Sequence, residues 1–270
     1  MVIMHPQSAM DRDWYDTPLY YDIIFDADTP KEGGFLEAVF QRHATPSRSR
    51  KVLEPACGSG RLIAEMAGRG WQAAGFDLSQ PMLDYAAERM AERQLKARLW
   101  QDRMESFTLP KAGAFDLAHC LVSTFKYLHT EAQAVAHLHG VAQALRAGGL
   151  YVLGFHLTDY SRTVCEHERW VAERDGVHVV CNTRGWPADK TSRLEDVRTR
   201  LRITRDGSIH RQETRWQFRT YNAAQARVLL RKVPAFELVA CHDFTHDPDS
   251  VRELDDSYSD VVLVLRKRAD

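Results

Sequence analysis

Val52-Leu53-Glu54-Pro55-Ala56-Cys57-Gly58-Ser59-Gly60-Arg61-Leu62 is the stretch on which the reading of this chain turns. A short apolar run ends in an acid, a turn of small residues follows, and a helix-forming run begins. Glycines in such a turn permit backbone angles closed to other residues and let a ligand lie against the main chain. A strand, a glycine turn and a helix in that order make up the opening unit of an α/β sheet.

The same rhythm continues outward. Gln72 to Phe76 reads as a second strand and Pro81 to Gln94 as a helix with proline in its first turn. Ala97 to Gln101 and Phe115 to Leu121 are the third and fourth strands. The alanine-rich run Glu131 to Arg146 is a helix stopping at Gly148-Gly149, and Leu150 to Phe155 is the fifth strand. From about Thr158 to Tyr221 the period changes to two: Val197, Thr199, Leu201 and Ile203 alternate with Arg198, Arg200 and Arg202. Asp206-Gly207 then marks a hairpin, and Val177 to Thr183 is a further strand. A helix from Asn222 to Lys232 and strands at Phe236 to Ala240 and Val261 to Leu265 close the chain. Upstream, Leu19 to Phe25 forms an aromatic amphipathic piece, followed by a break at Pro30/Gly33-Gly34 and a second helical piece. The expected architecture is a doubly wound, mostly parallel seven-stranded sheet with an antiparallel β insertion. Its parts are an N-terminal helical lid (1–45), a ligand-binding α/β domain (46–157 and 222–270) and the insertion (158–221).

Composition limits the function classes. With 36 Lys+Arg against 37 Asp+Glu in 270 residues, no charge excess argues for a general nucleic-acid or membrane-surface binder. The five cysteines, at 57, 120, 165, 181 and 241, form no C-x-x-C pair, so neither a disulfide framework nor a zinc ribbon is indicated. No apolar run reaches the roughly 18–20 residues of a membrane span, and Met1 to Met10 lacks the features of an export signal. The expectation is a cytoplasmic protein with reduced thiols.

Two nucleotide-type cofactors use a glycine turn of this kind. A dinucleotide needs a third glycine three residues after the second, and Ile63 stands there. Asp77, closing the second strand, can accept hydrogen bonds from both ribose hydroxyls of either NAD or S-adenosylmethionine. Asp102, after the third strand, is placed to accept from an adenine amino group. Acids after three successive strands, with no cationic phosphate clamp, suit an adenosine carrying a positive sulfonium better than one carrying phosphates.

Taken together, the motifs resemble those of class I S-adenosylmethionine-dependent methyltransferases. The first is Glu54-Pro55-Ala56-Cys57-Gly58-Ser59-Gly60, with Ala56 in place of the first glycine. The second is Gly75-Phe76-Asp77-Leu78-Ser79 with Pro81-Met82-Leu83, and the third is Gln101-Asp102-Arg103-Met104. Phe115-Asp116-Leu117 opens the fourth, and Leu145 to Leu150 gives the turn before the fifth strand. The resemblance implies S-adenosyl-L-methionine as cofactor. Ala56, Gly58 and Gly60 would line its methionyl part and Glu54 its amino group. Asp77 would hold the ribose, Leu78 and Met82 would pack on adenine, Asp102 with Arg103 would cover its polar edge, and the backbone at Cys120 and Leu121 would close the pocket. Tyr21-Asp22, the run Ser123 to Leu128 and the β-rich insertion are similar to the small-molecule branch that includes glycine N-methyltransferase and the amino-sugar N,N-dimethyltransferases. That likeness implies Tyr21 as a lid over the sulfonium and Tyr127 facing the acceptor; the amino-sugar enzymes have histidine in that run.

The expected reaction is in-line methyl transfer to nitrogen or oxygen of a small-molecule acceptor. Tyr21, Tyr127 and His156 are the candidate catalytic residues, and His119 is read as a buried, hydrogen-bonded core residue. A base is needed only if the acceptor arrives protonated. No metal site is expected: His137 and His139 point apart on a helix, and His242 and His246 have only Asp247 and Asp249 nearby. The arginines 198, 200, 202, 205, 211, 215 and 219 read either as a platform for an acidic substrate or RNA, or as a solvated sheet face, and the interspersed Glu195, Asp196 and Glu213 favour the second. Trp216, Phe218 and Tyr221 are read as a possible pocket wall. Two other readings stand beside this one, a nucleic-acid methyltransferase using the arginine strand and a non-catalytic S-adenosylmethionine-binding protein. The first lacks the N/D-P-P-Y/F signature of base-amine enzymes. The insertion's edge strands allow a two-fold homodimer.

Overall fold

The computed structural model describes residues 13–109 and 111–269, so the Met1–Met10 segment lies outside the described residues. Two sheets organise them. The larger has the order β10-β11-β5-β4-β1-β2-β3. Its strands are β1 (Lys51–Pro55), β2 (Gln72–Asp77), β3 (Ala97–Gln101), β4 (Phe115–Cys120), β5 (Leu145–His156), β10 (Phe236–His242) and β11 (Asp260–Lys267). The pairs from β5 through β4, β1 and β2 to β3 are parallel, and β11 lies antiparallel between β5 and β10. This is the mostly parallel seven-stranded sheet expected from the strand–helix rhythm.

Residues alternate between its two faces, as a pleated strand requires. Val52 joins Phe35, Leu36, Ile63, Met66 and Leu83 on the side covered by α2 (Thr29–His43), α3 (Arg61–Gly68) and α4 (Gln80–Glu92). Leu53 joins Phe76, Leu138, Val141, Tyr151 and Leu229 on the side covered by α5 (Glu131–Ala144) and α6 (Ala223–Arg231). Thr130 and Asn222 start α5 and α6 with reciprocal capping boxes to Gln133 and Gln225.

Three boundaries differ from the expectation. Helix α2 runs straight through Gly33-Gly34, and the break falls earlier, between α1 (Pro18–Phe25) and Thr29. Gly33 answers to packing: a Cβ there would lie 2.7 Å from Glu65 Cγ and 2.9 Å from Arg69 Nε on α3. Helix α5 ends at Ala144, and β5 begins at Leu145 without a loop.

The second sheet is an antiparallel meander, β6 (Glu166–Arg174), β7 (Val177–Gly185), β8 (Leu194–Arg205) and β9 (Ser208–Arg219). Strand β6 was not anticipated. Its hairpin turn, Asp175-Gly176, has both residues at positive φ (51° and 73°), as has Asp206-Gly207 (49° and 73°). The inner face, with Val177, Val179, Cys181, Leu201 and Ile203, packs on Trp14 and Ile23 of the N-terminal segment. Strand pairing places Arg169, Arg184, Arg198, Arg200, Arg202, Arg211 and Arg215 on the opposite face.

Candidate active site

A cleft opens where β1 and β4 end at their carboxyl edge. It is lined by Tyr21 and Phe25 of α1, by Glu54 to Ser59 with Arg61 and Leu62, and by Cys120, Leu121, Val122 and Thr124. The turn after β1 places Ala56, Gly58 and Gly60 at φ of 54°, 52° and 69°. A Cβ at Gly58 would meet nothing within 4 Å, so that backbone faces open space. At Gly60 a Cβ would come within 2.6 Å of Ala86 Cβ, so glycine there lets α3 and α4 close together. The turn is fixed to β2 by Cys57 N–H donating to Phe76 O (2.9 Å) and Gly58 N–H donating to Asp77 Oδ2 (2.8 Å). Asp77 Oδ1 accepts from Ser79 N–H at 2.8 Å.

Across the cleft, the segment after β4 turns sharply. Val122 and Ser123 both have positive φ, 58° and 66°, a costly conformation for a β-branched residue. Ser123 ties this turn to β5: its N–H donates to Gly154 O, and its Oγ accepts from His156 N–H at 3.0 Å.

Helix α1 is held over the cleft by a buried carboxylate. Asp22, fully enclosed, accepts from Ser59 Oγ (2.8 Å) and Tyr85 Oη (3.2 Å) and pairs with Arg89 of α4 and with Arg174 of β6 (2.8 Å). Asp26, one turn on, pairs with the same two arginines. One helix of the N-terminal segment thereby joins the larger sheet's helices to the insertion. Beyond Tyr21 stands an aromatic group. Tyr15 Oη donates to Tyr127 Oη at 2.6 Å, Trp14 stacks on Trp216 with ring centroids 4.8 Å apart, and Tyr127 meets Phe218 edge-on at 5.0 Å.

Burial dominates the electrostatics. It pushes the Glu54 carboxyl well above the usual carboxylate range, with Arg61 opposing and Glu32 and Asp77 reinforcing. It raises the Tyr21 phenol to about 12 and raises Tyr127 as well, so both hold their protons at neutral pH. Glu54 Oε2 is buried without a hydrogen-bond partner. An acid left unpaired beside a cradle of open glycine backbone fits a ligand carrying an ammonium group and an adenosyl body. Arg61, which the sequence reading did not count, also lines the cleft, but Glu32 pairs with it and Thr29 Oγ1 accepts from it.

Tyr21, Glu54, Ala56, Gly58, Cys120 and Leu121 are thus brought together, with Gly60 and Asp77 bonded into the same turn. The adenine-end residues lie apart from the cleft lining: Met82 is fully buried, Leu78 is more than half exposed, and Arg103 reaches outward to Glu105. The Asp102 carboxylate accepts from the N–H groups of Arg103 and Thr108, serving its own turn. His156 is outside the cleft lining and bonds Asp260 Oδ1 through Nδ1 at 2.7 Å. His119 is fully buried, but neither ring nitrogen has a hydrogen-bond partner, contrary to the bonded core histidine expected. Tyr221 packs against Phe125 and Phe155 in the main core instead of walling a pocket. Among the described residues no group of three or more His, Cys, Asp and Glu is placed to hold a metal.

Comparison with known proteins decides the family. Residues 52–149, which hold the glycine turn, Asp77, Asp102 and the turn after β4, match the model of a methyltransferase domain. Residues 52–149 carry a methyltransferase domain. The chain is 32% identical to the ubiquinone biosynthesis O-methyltransferase of Aromatoleum aromaticum over 37% of its own length and 41% of that protein. It is 26% identical to the glycine N-methyltransferase of Oryctolagus cuniculus over 41% and 42% of the two chains, so the alignments span under half of these curated relatives. A methyltransferase structure from Clostridium acetobutylicum superposes with a TM-score of 0.74 at 17% identity, covering 95% of this chain and 99% of that one. The sugar N-methyltransferase KedS8 from Streptoalloteichus gives 0.69 at 19% identity, covering 100% and 98%. The insertion and the helical segment over the cleft are therefore part of a shared fold. Missed from the sequence were Phe25, Thr124, Tyr15 and the ion pairs of Asp22. Asp22 was visible as an acid in an otherwise apolar run, the pattern of a buried charge needing partners.

Proposed function

We propose that the chain transfers the methyl group of S-adenosylmethionine to a nitrogen or oxygen of a small-molecule acceptor. The observation that carries this reading is the covered cleft: Tyr21 and Phe25 of α1 stand in the same wall as the glycine turn, and Asp22 fastens that helix from two sides. A cleft roofed in this way favours an acceptor small enough to be enclosed. The names of the relatives, an O-methyltransferase and a sugar N-methyltransferase, support both acceptor atoms.

When bound, S-adenosylmethionine supplies a methyl group on positively charged sulfur, open to in-line displacement. Gly58 and Gly60 would leave room for its methionyl part, Glu54 would meet its ammonium, and Asp77 its ribose. Tyr21 would shield the sulfur from water, and alignment and dryness are the protein's main contribution to such a transfer. Tyr21 and Tyr127 are too firmly protonated to act as bases, so they serve as hydrogen-bond donors. This supports an acceptor that arrives with a free lone pair, such as an unprotonated amine.

Arg184, Arg198, Arg200, Arg202, Arg211 and Arg215 of the insertion face away from Trp14 and Ile23, which weighs against a nucleic acid held there presenting a base to the cleft. The test is incubation with methyl-labelled cofactor and separate pools of small amines, small hydroxy compounds, RNA, DNA and protein. Label in a small-molecule pool is expected. Label confined to a polymer would reverse the acceptor class, and cofactor binding with no label transferred would favour the non-catalytic reading.

A further inference from the structure

Glu54, in the wall of the cleft, and the buried His119 beside it are close without being hydrogen-bonded. Glu54 is the penultimate residue of β1, and its Oε2 has no partner. His119, on the neighbouring β4, has no exposed surface, and neither Nδ1 nor Nε2 has a partner. Nδ1 lies 3.7 Å from Glu54 Oε1, just outside hydrogen-bond reach. Buried polar atoms are nearly always satisfied, and a cluster of unsatisfied ones calls for an explanation. Packing does not supply one, since the adjacent strand residues Leu117, Ala118 and Cys120 fill the core without polar cost.

We infer that His119 is a positioning residue for the amino-acid end of the cofactor: when the ligand binds, Nδ1–H closes the short gap to one oxygen of Glu54 and thereby turns the other toward the ligand's ammonium. The inference rests on the proposed cofactor site. Burial, with Arg61 nearby, keeps the imidazole neutral down to about pH 3, so it can donate a hydrogen bond without repelling a cationic ligand. Burial also pushes the Glu54 carboxyl well above the usual carboxylate range, against the pull of Arg61. An ammonium draws it into the charged form, and the carboxylate then gains a donor from His119 in addition to the Ile63 N–H.

The test compares three ligands by calorimetry: S-adenosylmethionine and S-adenosylhomocysteine, which carry the ammonium, and 5′-methylthioadenosine, which lacks it. His119→Val is expected to weaken the first two by about ten- to a hundredfold, the scale of a lost hydrogen bond to a charged group. Methylthioadenosine should change less than about twofold. His119→Asn, which can place an N–H near the position of Nδ1, should recover most of the loss and keeps the comparison open if the valine variant folds poorly. Adding His119→Val to Glu54→Gln should cost nothing further. Equal weakening of all three ligands would reduce His119 to a structural residue, and unchanged affinity for all three would overturn the inference. Failure of the wild-type chain to bind any of them would instead refute the cofactor site itself.

Discussion

A methyl group added at Gly60 would collide with Ala86, and the left-handed backbone there already disfavours any side chain. Gly60→Ala is therefore expected to destabilise the fold by about 1–3 kcal/mol, read as a lower melting temperature. Gly58→Ala, strained but facing open space, should affect cofactor affinity more than melting. Asp77 differs from both. Its oxygens already accept from Gly58 and Ser79, so Asp77→Ala removes the proposed ribose acceptor and loosens the turn together. Cofactor binding should weaken by roughly 1–3 kcal/mol in calorimetry; an unchanged affinity would remove Asp77 from the site. These residues were legible because glycines after a strand and an acid closing the next strand have a fixed geometric meaning. His119 was not. Its place on an apolar strand was clear, but the absence of any partner depends on which side chains surround it in three dimensions.

At the level of elements, the segment Pro18–Phe25 depends on Asp22, a carboxylate with no access to water that anchors two arginines. Replacing it by asparagine keeps the volume and removes the charge. Breaking a buried pair from one side costs about 3–5 kcal/mol, and the loss should be local. Hydrogen exchange is expected to rise in α1 and at the Arg174 end of β6 while β4 and β5 stay protected; uniform loss of protection would show that Asp22 supports the whole fold. The strand–helix units were readable because each carries its own period and turn chemistry. The sequence errors came where tertiary contacts decide. Gly33-Gly34 resembled a helix stop but serves the contact of α2 with α3, and β6 was passed over although Asp175-Gly176 marks its hairpin as plainly as Asp206-Gly207 marks the next.

For the molecule as a whole, burial of neutral histidines couples stability to pH. His119 is held down to about 3 and His137 to about 4, in both cases chiefly by burial. The unfolded chain takes up these protons near pH 6.5 and the folded chain does not. The contribution of these two histidines is therefore complete above about 6.5 and falls as the pH drops toward 4, at most about 1.4 kcal/mol per pH unit for each group. Melting temperature measured from pH 7.5 to 4.5 should fall less steeply in His119→Val than in the wild type; an unchanged slope in the variant would contradict the burial of that ring. The strand–helix alternation and the mostly parallel direction of the main sheet could be read from the sequence, whereas the way α1 bridges the two sheets could not, because nothing in the spacing links Asp22 to Arg89 and Arg174. The outer face of the smaller sheet carries one more consequence. Arg198 stands directly across from both Arg184 and Arg215, and Arg202 across from Arg211, while Glu213 reaches only Arg200 and Arg215. Two molecules meeting flat on this surface would press like charges together in a shrinking film of water, an arrangement that works against stacking through it.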